Sequence, residues 1–122
     1  MLLCHVIDDF VLQPVCLSKL KQEAWWKSQK EFSKKYKYDY YMALLMHAMS
    51  WSIMIVLPII FFGDVGNALL LALVVLNTGI HLVVDDMKAN TLELNLIQDQ
   101  TIHLIQVFFT WFFLSGLHKV FA

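Results

Sequence analysis

Residues 42–62 contain no formally charged side chain, and residues 65–84 repeat that pattern with His81 as their one ionisable group. Runs of about 20 mostly apolar residues match the hydrocarbon thickness of a bilayer. A third run, residues 101–117, is shorter but dense in aromatic and aliphatic residues. Backbone in lipid has to satisfy its own hydrogen bonds, so such runs read as helices. Composition agrees. The chain is 59% hydrophobic and only 16% charged, whereas a soluble domain is about half apolar and about a quarter charged. With 122 residues there is room for a single domain, residues 1–122. The expected fold is an all-α membrane protein with three transmembrane helices, at 42–62, 65–86 and 99–118. A short polar-faced helix at 1–13 and an interfacial amphipathic segment within the linker at 14–41 precede them.

The N-terminal helix should end at Gln13, because Pro14 drives the residue before it towards extended geometry. At ~1.5 Å per residue it is too short to span, so it lies in the interface or against the other helices. It is not a signal peptide: a basic start is missing, and His5, Asp8 and Asp9 interrupt the apolar run. Cys4 and Cys16 have no metal or redox spacing. The linker is rich in Lys and in aromatic residues, among them Trp25, Trp26, Phe32, Tyr36, Tyr38, Tyr40 and Tyr41. Net charge is −1, yet all nine basic residues are Lys and seven lie between Lys19 and Lys37. That cluster suits lipid headgroups rather than nucleic acid, and the positive-inside bias puts it in the cytoplasm. The turn at 63–66 is then outside, the polar loop at 86–98 inside, and the C-terminus with Lys119 outside. Asp64 and Glu93 read as loop residues. Met42, Met46, Met49 and Met54 have helical spacing and read as packing. Phe108, Phe109, Trp111, Phe112 and Phe113 read as facing lipid or a partner subunit.

Three ionisable pairs share one spacing: His5 and Asp9, His81 and Asp85, and Asp99 and His103 are each i, i+4. Such residues sit on one face of a helix, about one turn apart. His47 adds an imidazole from the first span, and only His118 stands apart. With the proposed topology these seven residues fall in one layer near the cytoplasmic face. Asn77, His81, Asp85 and Lys88 make a polar stripe on the second span; Asp99, His103, Gln106 and Thr110 make one on the third. Gln13 extends the first. Stripes of this kind face protein or water. Asp8 and Asp86, next to the pairs, read as facing solvent or headgroups. Imidazole and carboxylate together suit a divalent metal such as zinc, iron or manganese. The candidate ligands are His5, Asp9, His47, His81, Asp85, Asp99 and His103. Asp9, Asp85 and Lys88 are candidate catalytic residues, and Gln13, Gln100 and Lys88 candidate substrate contacts.

The ordered set His5-x-x-x-Asp9-Phe10-x-Leu12-Gln13, His47, His81-x-x-x-Asp85-x-x-Lys88 and Asp99-Gln100-x-x-His103 resembles the domain-of-unknown-function family 3307 across nearly the whole chain. The resemblance implies a small multi-pass membrane protein of a bacterium or phage, and hence the bacterial inner membrane. It names no reaction. Trp51, four residues after His47, stands where the resemblance leads one to expect a second His in some relatives, so here the first span offers one imidazole. More distantly, the pattern resembles membrane-bound metal-dependent hydrolases. The leading expectation is therefore a metal-dependent membrane hydrolase acting on a lipid-like substrate at the inner leaflet. Two other readings use the same residues. A metal or proton transporter subunit would need a homo-oligomer, and the outer halves of the spans offer it no ionisable residue. A non-catalytic, phage-encoded partner of a host membrane protein would use the polar cluster as structure.

Overall fold

The computed structural model describes residues 1–29, 34–63 and 65–121, with side chains through 116. Phe32 and Asp64, and the side chains of His118 and Lys119, lie outside the described residues. The regular structure of the described residues is entirely helical.

Helix α1 (Leu2–Val6) runs directly into a π-helical segment (Ile7–Leu12). The expected N-terminal helix is present, but its second half is wound more widely. π turns are rare and concentrate at functional sites. Gln13 leaves with φ −78° and ψ 100°, the extended geometry that the following proline demands. Two short helices follow, α2 (Val15–Leu20) and α3 (Glu23–Ser28). They are separated at Gln22, which is extended at φ −98° and ψ 118°. The side chain of Asn90 holds this break. Its Nδ2 donates to the Lys21 carbonyl at 3.1 Å, and its Oδ1 accepts the Glu23 backbone N–H at 2.7 Å.

Helices α4 (Asp39–Phe62) and α5 (Asn67–Asp86) form the most extensive packing pair. The short connection between them makes them antiparallel neighbours. Gly63 begins that connection: a Cβ there would stand 2.8 Å from both Cγ2 and the carbonyl oxygen of Ile59. After α5 comes a second π segment (Met87–Thr91). It ends at Leu92, whose left-handed φ of 58° costs a non-glycine residue about 1–2 kcal/mol. Helix α6 (Leu96–Phe121) starts on a reciprocal cap. The Gln98 N–H donates to Asn95 Oδ1, and the Asn95 N–H donates to Gln98 Oε1, both at 3.0 Å.

Among the described residues, two helices are long and apolar enough to cross a membrane, Asp39–Phe62 and Asn67–Thr91. Helix α6 also has the length, and Asp99, Gln100, His103 and Gln106 lie in its first turns.

Burial is inverted relative to a water-soluble domain. Among the described residues, thirteen polar or charged side chains are buried, against ten apolar ones. Helix α4 turns Leu44, His47, Ala48, Trp51, Ser52 and Ile55 inward, a stripe with spacings of three and four. Met42, Met46 and Met49 consequently point out and are exposed, so these methionines do not pack as their spacing suggests. Phe108, Phe109, Trp111, Phe112 and Phe113 are also exposed. The one apolar cluster, Trp51, Ile55, Val56 and Val107, adjoins a polar interior.

Candidate metal centre

Four helical stretches deliver their ionisable residues to one place. His5, Asp8, His47, His81, Asp85, Asp99 and His103 are all buried, and the Asp9 side chain is 7% exposed. The i, i+4 spacing achieves this on each helix separately, by stacking two side chains on one face. Convergence between helices follows because the same faces are turned inward.

The distances have a consistent character. His47 Nε2 lies 3.4 Å from Asp9 Oδ1 and 3.5 Å from Asp85 Oδ2. His81 Nε2 and His103 Nε2 lie 3.7 Å and 3.5 Å from Asp85 Oδ1. His103 Nε2 also lies 3.2 Å from Asp99 Oδ1. Most of these exceed the range of about 2.7–3.2 Å for N–H···O hydrogen bonds. They match instead the separation of about 3.3 Å between two donor atoms held at about 2.0–2.1 Å by one tetrahedral ion. Two sets have ligand atoms mutually within 4.8 Å: Asp9, His47 and His81, and His81, Asp85 and His103. His81 belongs to both.

Tautomers sharpen this. Gln106 Nε2 faces Asn77 Oδ1 and its carbonyl at 3.3 Å, so Gln106 Oε1 is left to accept from His103 Nδ1 at 3.1 Å. With its proton on Nδ1, a neutral His103 points an Nε2 lone pair at the carboxylate oxygens of Asp85 and Asp99. Two acceptors face each other without a proton between them, an arrangement that a cation resolves. His81 is fully buried, yet neither of its ring nitrogens has a hydrogen-bond partner; Asp99 Oδ1 and His103 Nε2 also lack one. The His81 ring stacks on Trp51, at a centroid distance of 4.4 Å, and on His103, at 4.0 Å, and those two rings lie 5.4 Å apart. Buried groups without partners are rare enough in proteins to demand a reason. A bound ion supplies one, and the residues present fit it.

Two lysines offset part of the carboxylate charge. Lys21 Nζ is 2.6 Å from Asp85 Oδ2, and Lys88 Nζ is 2.6 Å from Asp99 Oδ2. Gln100 Nε2 bridges Asp9 Oδ2 at 3.2 Å and Asp99 Oδ2 at 3.0 Å. With Asp8, Asp9, Asp85 and Asp99 ionised, Lys21 and Lys88 charged and the imidazoles neutral, two negative charges remain uncompensated. Within the N-terminal helix, burial pushes His5 below its ordinary value and Asp8 above its own, Ser50 and His47 opposing the latter. For Asp9 burial acts upward, but His47, His81 and Gln100 outweigh it and the net shift is down.

Not every sequence candidate sits among the two ligand sets. His5 Nδ1 accepts a hydrogen bond from Trp51 Nε1 at 2.8 Å, and its nearest carboxylate oxygen is Asp9 Oδ2 at 3.5 Å. His5 therefore borders the centre. Asp99 borders it on the other side, through His103. Asp9, Gln13, Lys88 and Gln100, with His47, Asp85 and Asp99, line a cavity of about 130 Å³. Three residues carry more than the sequence indicated. Asp8 does not face solvent: it is 2% exposed, accepts from Ser50 Oγ at 2.7 Å, and lies 3.7 Å from His47 Nδ1. The π winding of its segment puts two consecutive carboxylates inside. Lys21 leaves the surface cluster to meet Asp85. Trp51, noted only as an absent histidine, both stacks on His81 and donates to His5.

No curated protein and no solved structure matches this chain. The family comparison does match, over residues 1–121. All-helical in the regular structure of its described residues, with two of those helices long and apolar enough to cross a membrane and with buried His and Asp groups able to hold a metal, the chain belongs to the family described as protein of unknown function, DUF3307.

Proposed function

We propose that this chain is an integral membrane protein that binds a divalent metal, zinc, iron or manganese, among Asp9, His47, His81, Asp85 and His103. In this reading α4, α5 and α6 all cross the bilayer, and the Lys-rich linker lies on the cytoplasmic side. Its activity is hydrolysis of a lipid-like substrate. The observation that carries the metal reading is the orphaned imidazole pair, His81 and His103, facing Asp85 at 3.7 and 3.5 Å. When bound, such an ion lowers the pKa of a coordinated water to about 7. Asp9 and Asp85 would take the proton of attacking water, while Lys88, Gln13 and Gln100 contact the substrate. Phe10 and Leu96, both exposed, also line the cavity, giving it an apolar rim suited to a lipid.

Elemental analysis of gently purified protein tests this. The wild type should carry at least one equivalent of metal, and His81→Ala, which removes a member of both ligand sets, should lose it. A wild type without stoichiometric metal ends the proposal. The close Lys21–Asp85 and Lys88–Asp99 pairs favour one alternative, a self-neutralising network in a non-catalytic interaction protein. Its outward face, Phe108, Trp111 and Phe112, would then meet a second copy or a host membrane protein. In that case metal content is nil, and replacing His81 leaves function intact.

A further inference from the structure

We infer that the ligand of this centre carries a phosphate-type oxyanion, received between the ammonium groups of Lys21 and Lys88. The inference rests on the metal reading above and names its substrate class. Lysine is almost never fully buried, yet Lys21 is only 7% exposed. Surface chemistry did not leave it there by default. Asn90 grips the backbone on both sides of the Gln22 break, and so delivers this one lysine of the linker to the interior.

Lys21 and Lys88 come from different parts of the chain, but they line the same cavity of about 130 Å³. Each is anchored in the same manner. Asp85 turns Oδ1 to His81 and His103, and Oδ2 to Lys21 and, at 3.5 Å, to His47. Asp99 turns Oδ1 to His103 and Oδ2 to Lys88. Each Oδ1 faces imidazole, and each Oδ2 holds a lysine that lines the cavity. Gln13 and Gln100 add amide groups to the lining. Lysine presents a compact charge with several donors, the form in which it commonly holds phosphate. Charge decides when an anion can enter. With its carboxylates ionised and its imidazoles neutral, the metal-free set is net negative and repels it; a divalent cation offsets that charge and leaves the two ammonium groups to attract it. Oxyanion binding should therefore follow metal binding.

Either a lipid headgroup or free phosphate carries this chemistry. The test uses the full chain in detergent, with and without manganese, and measures binding of inorganic phosphate and of phosphatidic acid in parallel with metal content. Wild type should bind when metal-loaded. Lys21→Gln and Lys88→Gln should each weaken binding by roughly tenfold or more, the loss of one charge-assisted contact, with metal content retained. Lys88→Arg keeps the charge and should retain binding. Lys88 is part-exposed, so its variants remain informative if Lys21→Gln misfolds. Tighter binding of phosphatidic acid than of phosphate identifies a lipid headgroup, and the reverse identifies free phosphate; either supports the oxyanion class. Metal-loaded protein that binds neither probe, or binds equally well in both glutamine variants, overturns this inference and leaves the metal site standing. Absence of metal with lysine-dependent phosphate binding overturns the metal reading and the order of binding argued from it, and leaves the oxyanion class standing. Absence of both overturns both.

Discussion

Trp51 shows how one side chain can replace the chemistry of another. Its indole N–H donates to His5 Nδ1 at 2.8 Å, which places the His5 proton on Nε2, while its ring face covers His81. Trp51→Phe would keep a ring and remove the donor. Because both partners are buried, the orphaned acceptor should cost about 1–3 kcal/mol. A lower unfolding midpoint in detergent, with metal content preserved, is the expected outcome; loss of metal would instead make His5 part of the ligand set. The pairs His5–Asp9, His81–Asp85 and Asp99–His103 were legible because helical periodicity alone puts each on one face. Asp8 was not, since its burial depends on a π segment that no spacing announces. Lys21 was hidden among seven similar lysines. Its partner lies 64 residues away, and no local pattern carries that information.

Among the elements, the π segments stand out because each bears site residues: Asp8 and Asp9 on the first, Lys88 on the second. The second also carries Asn90, whose three hydrogen bonds reach the Lys21 carbonyl, the Glu23 N–H and Asp86 Oδ1. Asn90→Ala should free the turn between α2 and α3. Faster hydrogen exchange at Glu23 and weakened oxyanion binding are expected, with metal content unchanged. Unaltered exchange at Glu23 would mean that the turn is held by other contacts. Long uncharged runs made α4 and α5 readable directly from sequence. The linker was read as holding an amphipathic segment; its described residues include two short helices, α2 and α3, because the break at Gln22 is fixed from outside by Asn90. Helix α6 begins earlier than its apolar run does, as the Asn95–Gln98 cap nucleates it in polar sequence.

At the scale of the whole molecule, the exposed methionines and aromatics surround a polar interior. If α6 spans along with α4 and α5, the Lys-rich linker and the C-terminus lie on opposite sides of the membrane. Reporter fusions after Lys37 and after Ala122 should then give opposite signals, with the first cytoplasmic; matching signals would remove the third crossing. Inside a bilayer, apolar side chains gain little by leaving lipid for one another, and polar contacts take on much of the work of association. In this chain those contacts are largely the imidazoles, carboxylates and lysines of the centre itself. In the proposed reading, reactivity and cohesion are thus vested in the same few atoms. A chelator should loosen the bundle as well as silence it, and a chain whose histidines have been exchanged has to be checked for assembly before its inactivity can be assigned to chemistry.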